Sequence, residues 1–148
     1  MNALNDSIYS LMTADTIVGG VNNATTGATG GFHQLIAPQN AGFPRVHFQE
    51  ILDTGVYSFQ NLSADHCYYQ FTVYAVDSPI GTETGTATAG RLAERLRVLL
   101  TDPSMSVTGK TLLYSRFDRS IPPQAEWDDF GGGRFIYSKG FYLELWLA

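Results

Sequence analysis

Gly109, Lys110 and Thr111 match the closing residues of a phosphate-binding loop, in which backbone amides and a lysine cradle phosphates. Ser104 stands where that loop needs its first glycine. The segment also runs into a strand pattern, whereas the motif must open a helix, so the residues read as a turn before a strand. The glycines between 19 and 31 make no dinucleotide fingerprint, since no strand precedes them and no helix follows. His33, His47, His66 and the single Cys67 are the candidates for transition-metal chemistry. No pair of them has the i, i+2 or i, i+4 spacing of a metal clip, and His66 and Cys67, as neighbours on a strand, face opposite ways. Cys67 as a nucleophile needs an electropositive cleft, of which the sequence gives no sign. Glu126, Asp128 and Asp129 could form an acid–base pair or bind a cation. They lie between Pro122-Pro123 and three glycines, beside Trp127 and Phe130, and read as an exposed contact loop. Neither a Gly-x-Ser-x-Gly elbow nor a helical His-Glu-x-x-His occurs. No catalytic, cofactor-binding or metal-binding residue is therefore assigned, and nothing in the chain requires an enzyme.

The elements that would carry these residues are organised around positions 67–100. Residues 67–76 are rich in aromatic and β-branched side chains, which suit a pleated, half-buried surface. Tyr69, Phe71, Val73 and Ala75 share one face; Tyr68, Gln70, Thr72 and Tyr74 share the other. A turn is expected at 77–81. The period then becomes helical over about residues 86–100, with Ala89, Leu92, Ala93, Leu96, Leu99 and Leu100 on one face and Arg91, Glu94, Arg95 and Arg97 opposite. That charged face reads as solvated or turned toward another subunit rather than toward nucleic acid.

Before this core, residues 3–14 form a short helix with Leu4, Ile8, Leu11 and Met12 inward and Asn2 or Asn5 as its cap. Residues 19–31 have almost nothing to bury and read as a mobile loop ordered by a partner. Residues 32–37 form an edge strand. A strand follows from Arg45, with Val46, Phe48 and Leu52 on one face and Glu50 an awkward fourth. Residues 53–65 join two strong strands as a long hairpin arm bearing Tyr57, Phe59 and Leu62. After the helix, Asp102-Pro103 stops it, and residues 110–120 form a strand. Residues 121–133 are irregular. A final strand alternates Phe141, Leu143, Leu145 and Leu147 with Tyr142, Glu144 and Trp146, with a bend or bulge at Gly140. The whole is α+β: a mainly antiparallel sheet, a long amphipathic helix and a short N-terminal helix packed on one face, and a hairpin arm.

The 148 residues fit a single domain, and 44% apolar content excludes general disorder. Charged residues are 16%, low against the usual quarter, as suits a surface packed against other proteins. The net charge of −5 argues against phosphate gripping as the main task. One cysteine excludes an internal disulfide, residues 1–11 lack the features of a secretory signal, and no apolar run spans a membrane, so a reducing cytoplasm is expected.

The layout resembles the tail terminator (tail completion) proteins of long-tailed bacteriophages. The likeness is carried by the short N-terminal helix, the Gly-rich loop, Phe43-Pro44-Arg45-Val46 opening a strand, the strand Tyr69-Gln70-Phe71-Thr72-Val73-Tyr74-Ala75 and the Ala-x-x-Leu-Ala-x-x-Leu helix from Ala89 to Leu96. Val107-Thr108-Gly109 and the paired C-terminal strands complete it. The resemblance implies a structural virion protein of the tail or neck, assembled in the host cytoplasm, that forms a hexameric ring on the head-proximal end of the tail tube. Such a ring ends tube polymerisation, meets the head–tail connector and lets DNA pass its lumen without specific binding. The residues expected at contacts between subunits or with partners are Tyr57, Phe59, Leu62, Arg91, Arg95, Trp127 and Phe130. Two other readings fit: another connector or tail-tube protein, and a small α+β enzyme or ligand-binding module with a pocket built by Tyr68, Tyr74 and Trp146.

Overall fold

The computed structural model describes residues 2–38, 40–58, 61–77, 83–101, 105–129 and 133–148. The turn expected at 77–81 and the Asp102-Pro103 stop fall largely or wholly outside them. The elements are α1 (Asn2–Ala14), β1 (Phe32–Gln34), β2 (Arg45–Ser58), β3 (Asn61–Ala75), α2 (Gly85–Leu100), β4 (Leu112–Asp128) and β5 (Arg134–Leu147). The strands form one sheet in the order β1-β2-β3-β5-β4, antiparallel except for the short β1–β2 pair. This is the expected α+β architecture.

Strand alternation sets the core. Tyr69, Phe71, Val73 and Ala75 of β3 are fully buried, and Phe141, Leu143, Leu145 and Leu147 of β5 lie beside them. Leu4, Ile8 and Met12 of α1 and Ala89, Leu92, Ala93, Leu96 and Leu100 of α2 cover that face. Phe71 stacks between Phe48 and Phe141, with centroids 6.1 and 5.2 Å away. Thr84 caps α2 by accepting the Ala87 amide. Asn5 is not a cap: it sits within α1, where its Oδ1 accepts the Tyr69 hydroxyl at 2.5 Å.

Three expectations are overturned. Residues 19–31 fold as a compact loop because they do have something to bury: Val21 is sealed and Ala28 nearly so. The Val21 amide donates to Asp15 Oδ2 at 2.8 Å, Asn23 Oδ1 accepts the Thr25 and Thr26 amides, and Gly30 donates to Pro44 O at 2.7 Å. Only glycine fits at position 30, where a Cβ would meet Gly42 O at 2.0 Å.

Residues 121–128 are not irregular. β4 runs through them, and Pro122 and Pro123 occupy a register shift between Ile121↔Gly140 and Gln124↔Ser138 on the sheet's outermost strand. A missing amide there breaks no inner ladder. Leu52 does not share the inward face of Val46 and Phe48. An extra residue, Ile51, lies between the pairs Glu50↔Tyr69 and Leu52↔Tyr68, so Leu52 turns outward and is half exposed.

The expected arm is present. Leu147 ends β5 opposite Asp65, and beyond that point β2 and β3 continue as a two-stranded ribbon. A second, shorter ribbon projects from the opposite end of the sheet, where β4 and β5 pair past Tyr137 as far as Asp128↔Arg134.

Candidate functional site

The sheet face away from the helices carries a polar cluster built around Glu144. Glu144 lies in the middle of β5 among leucines, where alternation turns it outward beside Tyr68 and Arg116 of the flanking strands. Its side chain is only 6% exposed. Arg116 Nε donates to Oε2 at 2.6 Å, Trp146 Nε1 donates to Oε1 at 3.1 Å, and His66 Nε2 lies 2.7 Å from Oε1. Burial acts to raise this carboxyl's pKa, but the donors from Arg116, Trp146 and His66 outweigh it and hold the group below its ordinary value. The His66 ring stacks on Trp146 with centroids 4.2 Å apart, and Tyr114 continues the stack at 6.0 Å. A fully partnered carboxylate under an aromatic layer fixes this face.

On the core side, Cys67 is sealed, and its Sγ lies 3.7 Å from Asp53 Oδ1. Burial first, then the charges of Asp53 and Glu50, push the thiol up to about 12, so it is no activated nucleophile. His66 faces the other way, as strand alternation requires. Glu50, Asp53 and Cys67 bring one ligand atom each within 4.8 Å of one another, the one such group among the described residues. Sequence spacing does not offer this trio, because the Ile51 bulge is what turns Glu50 and Asp53 to the same side. His33 and His47 are cross-strand neighbours, with ring centroids 5.9 Å apart. His33 Nε2 is engaged with Gly30 O at 2.8 Å, and burial followed by the nearby Arg45 charge lowers the His47 pKa.

The helix arginines have intramolecular partners. Arg95 makes a two-pronged ion pair with Asp15, at 2.9 Å through Nε and 2.6 Å through an Nη. Arg91 pairs with Glu83 at 3.0 Å and donates to Thr26 O at 2.9 Å. Both clamp the 15–31 loop region against α2, with about a third of each side chain still accessible. Trp127 is 52% exposed at the end of the short ribbon, meets Phe135 edge-on at 4.9 Å and donates to Asp129 at 2.6 Å. Asp128 lies 3.5 Å from Arg134, and Glu126, Asp128 and Asp129 form no three-ligand group among the described residues. Tyr57 and Leu62 stand in register in the long arm. Phe59 and Phe130 lie outside the described residues. Tyr68 and Trp146 gather around His66, but Tyr74 is six residues from Tyr68 along β3, about 20 Å at ~3.3 Å per residue. The three therefore do not line one pocket. Sequence reasoning missed Asp15, Asp53, Arg116 and Glu144; a charged residue inside an apolar alternation was the one available signal, at Glu144.

No protein-family model matches the chain, and no curated protein matches it. Among solved structures, it shares its fold with a chain of the "Virion of native gene transfer agent (GTA) particle". The two superpose at a TM-score of 0.64 with 15% identity, over 99% of this chain and 96% of that one. A second solved chain overlaps at a TM-score of only 0.49 with 14% identity, over 97% of this chain and 94% of its own.

Proposed function

We propose that the protein is a structural component of a virion: a tail-terminator subunit that forms a ring on the head-proximal end of a tail tube, ends its growth and receives the head connector. The carrying observation is the end-to-end likeness in fold to a chain of a gene transfer agent virion particle, over nearly all of both chains. The geometry supports the same reading. A subunit joining tube to connector needs two dissimilar ends, and here a long ribbon projects from one end of the sheet and an aromatic-tipped ribbon from the other. Ring closure by head-to-tail contacts also needs two different lateral surfaces. The β2 side exposes Leu35, Ile36, Ile51 and Leu52, while the β4 edge is broken by register shifts and carries Arg116 and Arg119. The accessible parts of Arg91 and Arg95, and Tyr57, Phe59, Leu62, Trp127 and Phe130, are assigned to contacts between subunits or with the tube and connector. The acidic balance keeps a DNA lumen from gripping its cargo. A tail-tube role fits less well, because the 16-residue α2 covers the sheet where a tube subunit is expected to be nearly all β.

Light scattering with negative-stain imaging tests this. The expected species is a hexamer of 16.2 kDa chains, about 97 kDa, with a central hole, either free or on added tail tubes. A monomer that neither closes alone nor binds tail tubes refutes the proposal. Changing Tyr57 and Phe59 to Ser is expected to prevent assembly; intact rings from that variant would remove the arm from the contact set.

A further inference from the structure

We propose that Glu50, Asp53 and Cys67 form a binding site for a zinc-class divalent cation, independent of the assembly role. The three side chains reach one point only because of a local irregularity. On a regular strand, residues 50 and 53 would face opposite sides of the sheet; the extra residue Ile51 puts both on the side of Cys67. One donor atom from each lies within 4.8 Å of the other two. A tetrahedral zinc with bonds of about 2.3 Å to sulfur and about 2.0 Å to oxygen sets sulfur and oxygen about 3.5 Å apart. The Cys67 Sγ to Asp53 Oδ1 separation is already 3.7 Å, and the Glu50 donor lies within 4.8 Å of both, so Glu50 is the side chain that has to move inward.

The surroundings fit a cation. The one Tyr69 hydroxyl proton is shared between Asn5 Oδ1 on α1 and, at the longer distance of 3.2 Å, Glu50 Oε2, which places an outer-shell group against that carboxylate. The donor set, one thiolate and two carboxylates, suits Zn2+ or Cd2+ rather than Mg2+, which takes oxygen alone. Asp53 is exposed and gives the entry path, while Cys67 is sealed. Binding replaces the thiol proton by the cation: the S–H bond breaks, the proton passes to bulk water, and the sulfur electron pair forms the bond to the metal. A fourth position stays open to water.

Because Cys67 is the chain's single cysteine, a thiolate-to-metal absorption band reports on one residue. The full chain is titrated with Cd2+, following the near-ultraviolet charge-transfer band and the mass of the native complex. The expected result is one Cd2+ per chain with the band present, competed away by Zn2+. The variant C67A should lose the band, and D53N and E50Q should each weaken binding by about tenfold or more. D53N alters an exposed side chain and so keeps the test available if C67A does not fold. No band from the wild type, or binding by D53N and E50Q as tight as the wild type's, overturns the site.

Discussion

Replacing Asp15 should loosen the loop that follows α1 and cost stability in a pH-dependent way. The Asp15 side chain is 5% exposed, takes both prongs of Arg95, and accepts the amide of the fully buried Val21. Asp15→Ala removes two charge-assisted bonds, each worth about 1.5–3 kcal/mol, and orphans a buried amide at about 1–3 kcal/mol. Arg95 is 29% exposed and regains water once unpaired, which offsets much of the first loss. The net expectation is about 3 kcal/mol, or roughly 6–12 °C in Tm at about 2–4 °C per kcal/mol for a chain of this size. Asp15→Asn keeps an acceptor for Val21 and should lose about half as much.

The pH dependence follows from the carboxyl's lowered pKa, caused chiefly by the Arg95 hydrogen bonds working against burial. A folded pKa below the unfolded one makes this contribution complete above about pH 4 and progressively lost as pH falls through the folded value. Urea unfolding of wild type and Asp15→Asn should therefore show a gap at pH 7 that narrows toward pH 2–3. A cycle with Arg95→Met should give a coupling of about 1–2 kcal/mol. Equal stability at pH 7, or a gap that does not narrow in acid, refutes the reasoning.

Three further outcomes follow from the geometry. Gly140→Ala places a Cβ 2.4 Å from Phe71 O on the neighbouring strand, so β3 and β5 must part; a loss of about 1–3 kcal/mol is expected in urea, and a neutral effect would contradict it. The Cys67 thiol, pushed up to about 12, should react with iodoacetamide at pH 8 only at the rate at which the sheet opens, so fast labelling of the native chain would be incompatible with its sealed position. Changing Trp127 and Phe135 together to Ser should leave the folded subunit within about 1 kcal/mol of wild type while weakening assembly. Unimpaired rings that still cap tubes would take this tip out of the contacts.

Alternation made most of the sheet legible from the sequence. The inward sets of β3 and β5, the helical period of α2 and the extended arm all follow from periods of 2 and 3.6, which burial enforces over many residues at once. What stayed hidden depends on single residues that break a period, or on backbone accepting what side chains do not advertise. The 19–31 loop is held by main-chain bonds around two small buried residues, Val21 and Ala28, which carry little hydrophobic signal. β4 passes through Pro122-Pro123 because an outermost strand tolerates the missing amides, a fact about sheet order that local sequence does not contain. Ile51 is the sharpest case. It is half exposed and unmatched in the ladder, so the Glu50↔Tyr69 and Leu52↔Tyr68 pairs would be consecutive without it. Deleting Ile51 should therefore restore regular alternation, keep Glu50 and Asp53 on the Cys67 side, and change stability by about 1 kcal/mol or less. Deleting Gln70, in the middle of β3, should instead turn half of that strand inside out and abolish folding. Near-ultraviolet circular dichroism and urea unfolding separate the two: a cooperative native fold for the Ile51 deletion and none for the Gln70 deletion is expected. An Ile51 deletion that fails to fold would mean the bulge is required for the sheet's twist rather than an insertion the sheet merely accommodates.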